Sequence, residues 1–215
     1  MRDPSLSRAE VLAVVARDPA PTRAQLRRRA ALLGAAGVIL ALGIFAAVGG
    51  FRDGGLPREQ PLISLTFGGT AALTTAWAAL TLRPQVGWTQ SLSQRRLLLA
   101  AAPTLLFAWK VGCSAQYAGA TDWWPERPGL RCLAVSLLLG APVLAALLAM
   151  QRRSAPRDAG LSAAGLGALA GLFAALLVDL WCPVGHPVHV LLGHVLPMLA
   201  WTAFGAAAGR RVIAI

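Results

Sequence analysis

The sequence predicts an all-α membrane protein, a polytopic bundle of six transmembrane helices with the N and C termini cytoplasmic. Three observations lead there. Of the 215 residues, 56% are hydrophobic and only 13% charged, whereas an average soluble domain carries about 25% charged residues. Apolar runs close to the ~20 residues needed to cross ~30 Å of hydrocarbon recur six times. Basic residues concentrate in alternate gaps between those runs. The net charge of +11 would suggest nucleic acid only if basic side chains gathered on one surface with aromatic or polar readers between them. Here they punctuate apolar runs, which argues against direct nucleic-acid binding and for a lipid bilayer as partner.

The chain divides into a cytoplasmic N-terminal tail, residues 1–29, and a six-helix transmembrane domain, residues 30–215. In the tail, Ser7 and Glu10 make an S-x-x-E capping box, Val11, Leu12, Val14 and Val15 follow as an apolar stripe, and Asp18-Pro19 stops the helix. Thr22 and Gln25 repeat the box ahead of Arg27, Arg28 and Arg29. A helix this short is marginal alone in water, so the tail is expected to fold on a partner or against the bilayer. The apolar runs follow at 30–49, 62–82, 97–116, 130–150, 161–181 and 188–208. The first exceeds the roughly 7 to 15 apolar residues of a signal-peptide core and reads as a retained span. The second is rich in threonine, with Thr66, Thr70 and Thr74 at every fourth position. That stripe suits hydrogen bonding between helices or the lining of a path.

Arginine sets the orientation. Seven arginines precede the first run, Arg83, Arg95 and Arg96 lie between the second and third, Arg152, Arg153 and Arg157 between the fourth and fifth, and Arg210 and Arg211 follow the sixth. The other loops hold only Arg52, Arg58, Arg127 and Arg131. The positive-inside rule then places both termini in the cytoplasm, consistent with an even number of spans.

Chemistry collects on the opposite side. The chain has three cysteines and three histidines. Cys113 closes the third run, Cys132 opens the fourth and Cys182 ends the fifth, with His186 and His189 just beyond. In a regular α-helix, His189 and His194 stand ~140° apart around the axis and ~7.5 Å apart along it, so the two are not expected to serve one ion. Cys182, His186 and His189 are expected to approach one ion together, joined by Cys132 if the fourth and fifth helices are neighbours. Thiolate and imidazole suit a soft or borderline metal such as zinc, copper(I) or cadmium. A disulfide in an oxidising compartment is the second reading, and packing as small hydrophobes the third. Asp179, an intramembrane carboxylate, is expected to pair with Lys110 or a histidine.

Gly167 and Gly171, and Gly205 and Gly209, form two GxxxG pairs that allow close helix approach. Pro103, Pro142 and Pro197 are expected to kink their helices. Trp88, Trp123, Trp124 and Trp181 suit an interfacial belt. The chain lacks HExxH, GxSxG and a glycine-rich phosphate loop, and its spans hold few carboxylates, so it does not read as an enzyme. A small metal or ion transporter or channel is the alternative. Such a protein usually shows interrupted helices or charge at mid-depth in both halves, whereas Lys110 and Asp179 both lie toward one face.

The basic tail, six runs, the string Gly129-Leu130-Arg131-Cys132-Leu133, Pro142, Arg152-Arg153 with Ala155-Pro156, a glycine-rich fifth run and Cys182-Pro183 resemble the NrsF-like family of six-span membrane anti-sigma factors. The resemblance implies a protein of the bacterial inner membrane that holds an ECF sigma factor through its cytoplasmic N-terminal segment. It further implies that the paired cysteines, Cys132 and Cys182 here, receive the signal. Val11, Leu12, Val14, Val15 and Arg27 to Arg29 are then the candidate partner-binding residues. The sensor candidates are Cys132, Cys182, Cys113, His186 and His189, with Cys132, Cys182 and His186 as metal ligands.

Overall fold

A computed structural model describes residues 22–49, 61–82, 91–116, 129–152, 158–180, 182 and 184–212. Among these residues there are six long helices and no strand. They are α1 (Arg23–Ala47), α2 (Pro61–Thr81), α3 (Leu92–Ser114), α4 (Leu130–Gln151), α5 (Ala159–Asp179) and α6 (Pro187–Val212). Each is long and apolar enough to cross a membrane. The predicted Ser7–Glu10 box, the Val11 to Val15 stripe and the four interfacial tryptophans lie outside the described residues.

The helices begin earlier than hydropathy alone suggests, because polar caps and not apolar residues fix their starts. Thr22 Oγ1 accepts from Gln25 N at 3.2 Å while Gln25 Oε1 accepts from Thr22 N at 2.9 Å, so the expected second box opens α1 at Arg23 and not at residue 30. Ser91 and Gln94 build the same reciprocal pair and draw Arg95 and Arg96 into the first turn of α3. Asp158 caps α5 by accepting from Leu161 N at 2.8 Å.

The described chain falls into two compact units divided at Leu32. Within the first, the Thr22 box leads into Arg27, Arg28 and Arg29, all exposed. Within the second, α5 is central and packs against α2, α3, α4 and α6. It is buried almost all round, as a helix apolar on every face must be. Without a hydrophobic drive between helices in lipid, close backbone approach has to supply the contact energy. Both GxxxG pairs meet that need: a Cβ on Gly171 would lie 2.6 Å from Met198 Cα, and one on Gly205 would lie 2.4 Å from Ala163 O. The threonine stripe splits in role. Thr66 and Thr74 bond back to their own helix, and Thr70 alone reaches another, donating to Asp179. Pro103 and Pro142 lie inside helices α3 and α4.

Helix α6 is irregular where the histidines lie. It opens with one α-helical turn, Pro187–Val190, continues as a π-helix, Leu191–Val195, and resumes as Leu196–Val212. Leu196 N–H reaches Leu191 O, a five-residue bond. Pro197 has no N–H to offer the carbonyl of Gly193 four residues back. Instead Ser136 Oγ of α4 donates to Gly193 O at 3.3 Å, so the carbonyl that the proline orphans is satisfied from the neighbouring helix.

Candidate thiol and imidazole site

Four helix ends converge at one end of the second unit: the C-terminal ends of α3 and α5 and the N-terminal ends of α4 and α6. Two glycines make the approach of α4 and α6 possible. Gly129, at the N-cap of α4, has φ +94°, a conformation that favours glycine, and a Cβ there would lie 3.0 Å from His189 O. A Cβ on Gly193 would lie 2.9 Å from Cys132 Cβ. The first turn of α4 therefore lies directly on the π-helical segment, and Cys132 faces it. Beyond α5 the chain holds a helical turn long enough for Cys182 N to donate to Val178 O at 3.0 Å, which brings its sulfur to the same place.

The result is a compact donor set. Cys132 Sγ donates to Cys182 Sγ at 3.6 Å, and His189 Nε2 lies 3.2 Å from Cys182 Sγ and 3.6 Å from Cys132 Sγ. One ligand atom from each of Cys132, Cys182, His189 and His194 falls within 4.8 Å of the other three, and all four residues are buried. A tetrahedral zinc-class ion with metal–sulfur bonds of ~2.3 Å and metal–nitrogen bonds of ~2.0–2.1 Å sets S···S near ~3.8 Å and S···N near ~3.6 Å. The two 3.6 Å separations agree with that polyhedron, the 3.2 Å from His189 to Cys182 is shorter, and His194 lies within 4.8 Å of the other three. Both thiols are free. The hydrogen bond from Cys132 holds the Cys182 thiol well below the ordinary cysteine range, with burial opposing and the His189 and His194 imidazoles adding to the effect.

Behind the donors lies a buried polar network. Lys110 of α3 and Asp179 of α5 form an ion pair, Thr70 Oγ1 donates to Asp179 Oδ2 at 2.7 Å, and His194 Nδ1 sits 3.0 Å from Lys110 Nζ and 3.5 Å from Asp179 Oδ1. The expected pairing of Asp179 with Lys110 or a histidine thus takes both forms. With Nδ1 engaged, the other ring nitrogen of His194, Nε2, is buried and makes no hydrogen bond of ordinary geometry, although the ring interacts with the Cys182 thiol. Buried polar atoms rarely stay unsatisfied, and each that does calls for an explanation such as an ion.

The chain matches the family model for NrsF, negative regulator of sigma F, over residues 15–214. It belongs to the NrsF family. Neither a curated protein nor a solved structure matches the chain. The membership makes it a member of a family of negative regulators of a sigma factor, with six helices of membrane-spanning character.

Within this NrsF-family fold the candidates part company. Cys132, Cys182 and His189 come together. His186 does not join them: it is the N-cap of α6, its Nδ1 accepting from Val188 N at 3.3 Å with Pro187 at the first helical position. Cys113 lies apart, buried against Leu62. Val11, Leu12, Val14 and Val15 are outside the described residues. His194, expected to point away from His189, instead shares its face, with ring centroids 5.7 Å apart. The reason is the π-helical segment Leu191–Val195: its wider turn takes a smaller angular step per residue than an α-helix, which brings position 194 back toward the face of 189. The i, i+5 spacing of two histidines with glycine and proline close by was the available signal.

Proposed function

We propose that this NrsF-family protein is a membrane-embedded anti-sigma factor of the bacterial inner membrane. It holds an ECF sigma factor on the cytoplasmic side and releases it when a metal or redox signal acts at the buried thiols on the periplasmic side. The observation that supports this most directly is the match to negative regulators of sigma F across residues 15–214, a stretch that includes Cys132 and Cys182. The polarity of the second unit agrees with the proposed orientation. Arg95, Arg96, Arg152, Arg210 and Arg211 sit at the helix ends opposite the donor set.

Residues 1–29 are the proposed partner-binding segment. Val11, Leu12, Val14 and Val15 would enter an apolar groove on the sigma factor, and Arg27, Arg28 and Arg29 would meet acidic patches around it. The test is co-expression of the full-length protein with each ECF sigma factor of the same genome. Sigma factor recovered with the membrane fraction, and raised transcription from its promoters when the membrane protein is deleted, are the expected results. Unchanged transcription on deletion together with a soluble sigma factor refutes the proposal. Cadmium(II) or an oxidant added to cells should release the partner from the wild type and fail to do so from the Cys132→Ser/Cys182→Ser double variant. An impermeant thiol reagent on intact cells should label a cysteine introduced at exposed Val188, on the donor side, and not one introduced at exposed Arg96.

A further inference from the structure

Resting on that reading and naming the ligand of its sensing end, we propose that Cys132, Cys182, His189 and His194 form a closed tetrahedral site for one divalent d10 cation of the zinc and cadmium class, and that His194 links its occupancy to the Lys110–Asp179 pair. The donor set is two sulfurs and two imidazole nitrogens from α4, α6 and the segment joining α5 to α6, with Cys132, Cys182 and His189 3.2–3.6 Å apart and His194 within 4.8 Å of all three. All four residues are buried, which leaves no evident place for a water ligand and marks a closed site. The Nε2 of His194, which makes no hydrogen bond of ordinary geometry, is the atom that the ion would satisfy. Binding exchanges protons for metal: the dication enters, the two thiol protons leave, and the resulting bis-thiolate complex is neutral, as a low-dielectric setting requires.

The second half of the proposal follows from hydrogen-bond polarity. A metal on Nε2 uses that lone pair, so the ring proton resides on Nδ1. An Nδ1–H can donate to Asp179 Oδ1, the carboxylate–histidine–metal arrangement that commonly orients a ligating imidazole. It cannot accept from the Lys110 ammonium 3.0 Å away. Two donors then face each other, and Lys110 must leave His194 for Asp179 alone. Occupancy at the thiols thereby changes the contact between α3 and α6, and through Asp179 and Thr70 it reaches α2.

The experiment titrates cadmium(II) into the purified full-length protein in lipid nanodiscs. The readouts are thiolate-to-cadmium charge-transfer absorption and bound metal per chain. One cadmium per chain is expected. The band should be lost in Cys132→Ser/Cys182→Ser, and the affinity should fall at least tenfold in His189→Ala and in His194→Ala. Asp179→Asn should weaken binding tenfold to a hundredfold, while Lys110→Met, which removes the competing donor, should tighten it. A purely structural role for the pair would weaken both. If these variants do not fold, the wild type still decides: bound cadmium should slow alkylation of Cys132 and Cys182, and not of Cys113, in the folded protein, and should shift the imidazole resonances of His189 and His194. Absence of binding, or binding indifferent to both histidines, overturns the proposal. Sigma-factor capture measured on the same preparation keeps the two readings apart, because capture without cadmium binding sinks only the metal site, and cadmium binding without capture sinks only the anti-sigma reading.

Discussion

Breaking the Lys110–Asp179 pair is the sharpest test of the buried network. Both side chains are nearly inaccessible, at 4% and 0% exposure, and Asp179 also accepts from Thr70 and faces His194. Asp179→Asn leaves the Lys110 ammonium without its counter-ion and with only a neutral imidazole beside it. Removing one member of a buried ion pair typically costs about 3–5 kcal/mol, because the surviving charge keeps its desolvation penalty. Lys110→Met should cost less, about 2–3 kcal/mol, since the carboxylate retains the Thr70 hydroxyl. In the double variant no charge remains to be stranded, so its cost should fall below the sum of the singles by about 2–4 kcal/mol. Unfolding of the full-length protein in mixed micelles with increasing SDS, followed by tryptophan fluorescence, gives all three values. Single costs below about 1 kcal/mol that simply add would mean that the pair behaves as a hydrated surface contact, and the network would carry no coupling.

Three other outcomes follow from the packing and the thiols. Gly193→Ala places a Cβ 2.9 Å from Cys132 Cβ and 3.2 Å from Gly129 O, so it should cost about 1–3 kcal/mol and lower cadmium affinity, read by thermal unfolding and metal titration. Gly171→Val meets the backbone at Met198 Cα, 2.6 Å from its Cβ, and should destabilise by at least as much, with a lowered melting temperature as the measure. For Cys182, a thiol held below the ordinary range is thiolate at lower pH. The pH profile of its alkylation should therefore have its midpoint below ~8.5, and Cys132→Ala, by removing the donor, should move that midpoint upward.

Much of the fold was legible because a bilayer imposes a length on every apolar run. What hydropathy misplaced were the starts of α1 and α3, where Thr22 and Ser91 cap turns that still carry arginine. Three of the four donors were legible. Two thiols and His189 follow from their placement at helix ends, given that α4 and α5 are neighbours. His194 did not, because a regular helical phase was assumed through Gly193, and the proline at 197 together with Ser136 from α4 permits another. His186 looked equivalent to His189 in sequence, but the N-terminus of α6 leaves N–H groups to satisfy and takes that imidazole as its cap.

The arrangement also decides how little energy a signal needs. A tenfold change in partner affinity requires about 1.4 kcal/mol of coupling. A hydrogen bond to a charged group contributes about 1.5–3 kcal/mol, so losing the Lys110 to His194 contact alone is of the right size. That contact joins α3 to α6, and the ends of both helices away from the thiols carry arginine: Arg95 and Arg96 at the start of α3, Arg210 and Arg211 at the end of α6. Arg95 also donates to Ser162 of α5 at 2.7 Å, so α3 is held to the central helix at both ends. A shift of α3 at the thiol end has a path along the helix, past Pro103, to its far anchor at the Arg95–Ser162 bond. The coupling therefore predicts that Ser162→Ala, far from the donors, should alter the response to cadmium(II) without altering its affinity. A changed affinity with an unchanged response would place the transmission elsewhere.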